Sequence, residues 1–181
     1  MAPSLFIRAM HPKTEISPDP AALRRLLDSG WVGQLKIHGH RAQIHISSDP
    51  QTPVIVYNRQ GQRHAKELTP SMAKEIRRLF QPREGWNVID AEWLKPEEKI
   101  FVFDFLKREG EMLWQRNYVD RWGMLPRSFL SPHLSVLPLI RDLPSCLKVM
   151  QGAEPHVEGL VFKSGTSTGF SDTSIVRCRR K

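Results

Sequence analysis

A lysine, a glycine and an arginine stand at the spacing K-x-x-G-x-R in Lys36-Ile37-His38-Gly39-His40-Arg41. The run lies between two strand-like stretches, 33–36 and 42–47. This places the lysine amine at a strand end, beside a glycine whose missing side chain allows close approach of another group. A planar guanidinium five residues later suits phosphate oxygens, which it can grip in a fork. The pattern therefore suits a lysine nucleophile working on a phosphorylated ligand. Only a small fraction of free lysine is neutral at pH 7, given an ordinary pKa near ~10.4, so positive charge nearby would help to make the amine.

The elements that must hold these residues follow from periodicity. Residues 20–29 predict a helix, with Asp19 as cap, Pro20 in the first turn, Gly30 as stop and Leu23, Leu26 and Leu27 on one face. Residues 31–37 and 41–47 predict a hairpin about Gly39, and a third strand spans 54–58 up to Gly61. A helix over 69–80 carries Met72, Ile76, Leu79 and Phe80 on one side. Strands follow at 86–94 and 100–106, then a short helix at 118–125 stopped by Pro126. The stretch 134–140 contains Pro138 and predicts an edge strand or extended loop. Leu143, Cys146, Leu147 and Met150 keep helical spacing, and strands at 157–163 and 175–179 close the chain. Residues 1–18, interrupted by Pro3, Pro12 and Pro18, read as irregular. Strands often follow one another directly, so the expected class is α+β, with antiparallel sheets flanked by helices in one domain, 1–181.

Composition narrows the partners. The 181 residues carry 27 Lys+Arg against 19 Asp+Glu, a formal charge of +8 that favours a polyanionic partner. The two cysteines, Cys146 and Cys178, make no disulfide or metal framework by spacing, and the histidines His11, His45, His64, His133 and His156 show no metal-ligand spacing. The start, Met1-Ala2-Pro3-Ser4, has no charged-then-apolar leader, and no apolar run nears the ~18 residues of a membrane span. An intracellular, cytoplasmic monomer without membrane contact is expected.

Six stretches in order resemble the adenylation domain of ATP-dependent polynucleotide ligases, covalent nucleotidyltransferases that include mRNA capping enzymes. Lys36–Arg41 is similar to K-x-D-G-x-R, and Asn58-Arg59-Gln60-Gly61 to the R-N-G element. Ile89-Asp90-Ala91-Glu92-Trp93 resembles the D-G-E strand, and Val102-Phe103-Asp104-Phe105-Leu106 the F-D-L strand. Glu158-Gly159-Leu160-Val161-Phe162-Lys163 resembles E-G-x-V-x-K, and Arg177-Cys178-Arg179 the final K-x-K. The resemblance implies ATP in a cleft between sheets and three steps: a lysyl–AMP, AMP transfer to a 5′-phosphate, and sealing by the adjoining 3′-hydroxyl.

It implies these roles: Lys36 as nucleophile, Glu158 holding Mg²⁺, and Glu92 accepting from the ribose hydroxyls. Phe103 would stack on adenine, although an aromatic in an alternating strand is also the usual core residue. Gln34 would contact the adenine edge and Arg59 the phosphate side. Lys163, Arg177 and Arg179 would surround the α-phosphate with Arg41, and Arg180 and Lys181 would extend towards nucleic acid.

Departures from the pattern bear on substrate. His38 stands in place of the motif aspartate, an arrangement reminiscent of phage-type RNA-repair ligases, so the nick is DNA or RNA, DNA favoured. Arg177 and Arg179 replace lysines. The sequence stops after the last motif, so no OB-fold domain is expected in it, and a separate OB-fold or DNA-binding partner would close over the nucleotide. Capping-type guanylyl transfer and a non-catalytic nucleic-acid-binding relative are the alternatives.

Overall fold

The computed structural model describes residues 4–180. Its strands form two sheets. The first has the order β1-β10-β9-β2, from β1 (Thr14–Glu15), β10 (Ile175–Arg179), β9 (Val157–Ser164) and β2 (Trp31–Ile37). The second has the order β4-β3-β5-β6-β7, from β4 (Ile55–Tyr57), β3 (His40–Ser47), β5 (Trp86–Leu94), β6 (Lys99–Arg108) and β7 (Glu111–Met112), with β8 (Leu134–Val136) also on β6. Helices α1 (Pro20–Asp28) and α4 (Leu143–Gln151) pack on the first sheet, where Leu23 and Cys146 meet Leu160, Phe162 and Cys178. Helix α2 (Pro70–Phe80) covers the second, burying Met72, Ile76 and Phe80 against Ala42, Ile44 and Ile46.

The helix starts are written locally. Asp19, Thr69 and Asp142 each accept a hydrogen bond from a backbone N–H three residues on, and each is followed within two residues by a proline, whose missing N–H costs the first turn nothing. Asn117 caps the short helix α3 (Tyr118–Gly123) in the same way. No helix among the described residues is long and apolar enough to cross a membrane.

The largest correction concerns the expected hairpin. Strand β2 pairs with β9 and strand β3 with β4 and β5, so the turn at His38-Gly39 steps from one sheet to the other instead of closing a ladder. The two strands serve different cores: Ala42, Ile44 and Ile46 face α2, whereas Val32 packs with Tyr118 and Ile175. Gly39 allows this because β5 passes directly beneath it; a Cβ there would lie 2.9 Å from the Trp93 carbonyl. The close approach the glycine permits here is to a strand, and Gly39 also lines the cavity described below.

Other differences are smaller. The segment expected to be irregular contributes β1, which lies parallel to β10, and β8 lies parallel to β6, so the sheets are mixed and not wholly antiparallel. Beyond β8, Ile140 exchanges backbone hydrogen bonds with Gly33 (2.7 and 2.8 Å), so the stretch after Pro138 does meet β2, through one bridge. Residues 1–3 of the irregular segment, and Lys181, lie outside the described residues.

Gly159 holds φ +142°, and a Cβ would strike the Cys178 carbonyl on β10. Gly159→Ala is expected to cost ~1–3 kcal/mol by forcing the backbone aside. Gly123→Ala, where nothing lies within 4 Å, should instead be neutral or gain up to ~1 kcal/mol. Urea midpoints of the two variants check this, and equal midpoints would refute it.

Candidate active site between the two sheets

A cavity of about 730 Å³ is lined from both sheets. Lys36, Gln34, Arg41, Arg59, Glu92, Phe103, Glu158, Lys163 and Arg177 all contribute to its wall. Arg179 is not among the lining residues. It and Arg177 are held by Glu15 of β1, with Arg179 contacts of 2.6 and 2.9 Å and an Arg177 contact of 3.2 Å. Hydrogen bonds and charge from Arg179, then Arg177, pull the Glu15 carboxyl down to about 2 despite some opposing desolvation. Arg180 turns away, tying down the carbonyls of Val149 and Val157 and the Glu154 carboxylate.

Two β-bulges aim the side chains at the cavity. Opposite β2, Lys36 pairs with Gly159 and Ile37 with Val157, leaving Glu158 as the extra residue. Strict alternation would put Glu158 on the helix-covered face with Leu160 and Phe162; the bulge brings it round to Lys36. Its carboxylate takes Lys36 Nζ on one oxygen and His38 Nδ1 on the other. Partial burial works against ionisation of Glu158, but the hydrogen bonds from Lys36 and His38 outweigh it and hold the pKa below the ordinary value. In the second sheet, Asp90 pairs with Asp104 and Ala91 with Val102, so Phe103 is the extra residue there.

Behind the cavity lies a buried set of charges. Asp90 and Asp104 face each other across β5 and β6. Arg41, which is opposite Glu92 in the register, reaches diagonally to grip Asp90 with Nε at 2.6 Å and a second nitrogen on the other oxygen. Arg121 of α3, wholly buried, grips Asp104 at 2.9 and 3.0 Å. These two pairs cancel, and Lys163, 3% exposed, is left with neutral partners: Gln34 Oε1 at 3.0 Å and the Tyr118 hydroxyl at 3.1 Å. Burial drives the Lys163 ammonium down to about 7, with Asp104 and Asp90 raising and Arg41 and Arg121 lowering it. Glu92, whose opposite arginine is committed elsewhere, is pushed by desolvation up to about 7.

Several expected roles meet specific neighbours. The Gln34 amide is already engaged: Nε2 donates to the Leu137 carbonyl (3.1 Å), while Oε1 faces Lys163 and the Tyr118 hydroxyl (2.6 Å). Phe103 has Lys163 Nζ 4.3 Å and Arg41 5.1 Å from its ring centre, and its ring packs beside Ile37, Leu94 and Leu137. It is thus both a cavity-wall and a partly buried core residue. Arg41 also donates to the Met10 carbonyl (3.1 Å) from the nitrogen that grips Asp90, so two of its three nitrogens are committed within the protein while the residue still lines the cavity.

The sequence reading missed Tyr118, Arg121 and His11. An aspartate inside each of two apolar strands was a signal that buried cations must exist, without saying which. For a divalent cation, the described residues hold no cluster of three His, Cys, Asp or Glu ligands. The acids lining the cavity are Glu92 and Glu158. One ionised carboxylate fits Mg²⁺ only where substrate phosphates and water supply its remaining oxygens, which is its usual habit.

Neither a family model nor a curated protein matches the chain. Solved structures do. A mycobacterial DNA ligase D complexed with ATP and MES matches at a TM-score of 0.54 and 16% identity, over 82% of this chain and 54% of that one. The ligase domain of M. tuberculosis LigD matches at 0.59 and 17%, over 92% and 59%. A structure described as Pmar-Lig_PreS3 matches at 0.59 and 16%, over 92% and 46%. The chain thus has the fold of a ligase nucleotidyltransferase domain and spans about half the length of the structures it matches.

The buried amine makes stability depend on pH. Below about 7 Lys163 is charged in both folded and unfolded chains, and folding carries the full cost of burying it. Between about 7 and the ordinary 10.5 the unfolded chain binds the extra proton, so stability rises with pH. Lys163→Met should remove that rise. Urea unfolding at pH 7 and 9.5 should show the stability of wild type increasing relative to the variant, and parallel behaviour would show that the amine is not desolvated.

Proposed function

We propose that the chain is an ATP-dependent polynucleotide ligase, acting on nicked duplex DNA through a lysyl–AMP at Lys36. The observation that carries this is the placement of Lys36 against Glu158 at the edge of a cavity whose deep wall holds Lys163. The likeness to ligase domains, one of them complexed with ATP, supports it.

In the resting site the Lys36 amine is engaged with Glu158, so it becomes a nucleophile only after leaving that carboxylate and losing a proton. The nitrogen then bonds to the α-phosphorus, the bond from that phosphorus to the bridging oxygen breaks, and diphosphate departs with the electron pair. Lys163 and Arg41 place positive charge where the phosphoryl oxygens gather negative charge. A phosphate beside Lys163 raises its proton affinity, so an amine kept near neutrality by burial becomes a cation when the anion arrives. Mg²⁺ at Glu158 would supply further charge neutralisation to the polyphosphate. Glu92 faces the cavity as an acceptor for ribose hydroxyls, and Phe103 offers its ring edge or a face to adenine. AMP then passes to the 5′-phosphate of the nick, and the 3′-hydroxyl displaces it. A separate OB-fold domain is the proposed closing partner.

Intact-mass measurement after incubation with ATP and Mg²⁺ should show one added AMP, absent in Lys36→Ala. GTP alone giving the adduct would replace this reading with guanylyl transfer, and no adduct with either would leave a binding module. Nicks with DNA or RNA on the 3′ side then decide the substrate. Nick affinity should fall linearly on a log–log plot against salt, since phosphate contacts dominate such binding; a flat plot would contradict a phosphate-tracking surface.

A further inference from the structure

The amino-terminal segment crosses from the second sheet to the first as a strap. The Gln43 amide of β3 clips both the backbone N–H (2.8 Å) and the carbonyl (2.7 Å) of Ile7. Asp172 then takes the His11 N–H and Lys13 Nζ, each at 2.8 Å. Beyond them β1 lies along β10, with Glu15 opposite Arg177 and the Ile16 N–H on the Arg177 carbonyl (2.9 Å). Glu15 thus stands on fixed backbone, and its carboxylate meets two guanidinium groups at once. Arg179 donates Nε to Oε1 (2.9 Å) and Nη2 to Oε2 (2.6 Å), and Arg177 donates Nε to Oε2 (3.2 Å).

The other side of Arg179 faces the chemistry. In the register of the first sheet, Lys36 of β2, Gly159 of β9 and Arg179 of β10 lie in one row and share one face. That row spans roughly 10 Å at ~4.8 Å per strand, and its middle position carries no side chain to separate the two cations. Arg179 also feels the partner of Lys36: hydrogen bonding and charge from Glu15 raise its pKa most, and the charge of Glu158 adds to them. Yet Arg179 is the residue missing from the cavity wall, because its fork is filled from the strap. A carboxylate in that fork takes the same two hydrogen bonds that a phosphate would take. The side chains of Glu15, Arg177 and Arg179 are 38%, 31% and 48% exposed, so water screens the clasp and a stronger anion can displace it.

We infer that Glu15 is an internal competitor for phosphate, holding the Arg179 fork until a phosphate group beside Lys36 takes it. The strap is then an autoinhibitory latch, which weakens anion binding by the fraction of molecules in which Arg179 is clasped. That the phosphate belongs to a nucleotide rests on the function proposed above; the competition itself rests on the clasp.

The test is calorimetric titration of the full chain with an ATP analogue carrying a methylene bridge between the α- and β-phosphorus, which cannot transfer AMP. Glu15→Gln should bind it about fivefold tighter than wild type, the size expected for freeing an exposed ion pair. Adenosine, which has no phosphate, should bind both chains equally. With Arg179→Ala already in place, Glu15→Gln should give little further gain, because the fork it frees is gone. Equal or weaker binding of the analogue by Glu15→Gln would overturn the competition and make Glu15 a support for the arginines. An undiminished gain without Arg179 would also overturn it, leaving Glu15 as a charge that repels anions at large. Inorganic diphosphate, titrated in parallel, separates this inference from the proposed function. A gain that depends on Arg179 with diphosphate, in a chain that does not bind the analogue, supports the latch and removes the nucleotide. No binding of either probe by Glu15→Gln overturns the latch. Absence of a lysyl adduct in the wild type would instead remove the proposed enzyme activity and leave the competition standing.

Discussion

Two aspartates, Asp90 and Asp104, face each other across adjacent strands inside the protein, and the rest of the site depends on how their charge is met. A buried carboxylate without a partner costs several kcal/mol, and two side by side cost more. Each is met by a bidentate arginine brought from a different element, Arg41 from β3 and Arg121 from α3. That requirement fixes where α3 docks and prevents Arg41 from pointing freely into the cavity. It also decides the state of Lys163, which arrives on the other sheet to find both carboxylates already neutralised. The cavity is thus lined by an amine near its neutral point beside a carboxyl, Glu92, also near its neutral point. Both groups are set to respond to the charge of whatever enters.

The front of the cavity obeys a different rule. Lys36, His38 and Glu158 are bound to one another at the surface end of the sheet, where solvent screens them. His38, standing where the resemblance expects an acid, adds a second hydrogen-bonding partner to the carboxylate. The resting nucleophile is therefore engaged with its neighbour, and the geometry separates a partly exposed outer clasp from a buried inner set of charges.

Much of this was legible in the residues. The cap-plus-proline starts at Asp19 and Thr69, the apolar face of α2 and the strands β5, β6, β9 and β10 follow from local pattern, and of the ten residues singled out as nucleophile or for nucleotide or metal, all but Arg179 line one cavity. What could not be read depends on register. Alternation assigns Glu158 to the core face, and only a bulge, permitted by Gly159 and invisible in one sequence, turns it to Lys36. The hairpin expected at Gly39 failed because strand propensity says which residues are extended, never which partner they choose. Arg121 carries no local mark of burial; its partner was advertised by an acid amid apolar residues, but the pairing is settled only in three dimensions. The strap over 4–16 looked like loop because its interactions are to side chains such as Gln43 and Asp172, far along the chain.

The crossing at His38-Gly39 has a mechanical meaning. Because β2 and β3 belong to different sheets yet are joined by two residues, the sheets resemble the covers of a book, bound at this edge by a stitch of about 7 Å at full stretch. Lys36 lies one residue before the end of β2, so the amine is held at the seam where the chain passes from one sheet to the other.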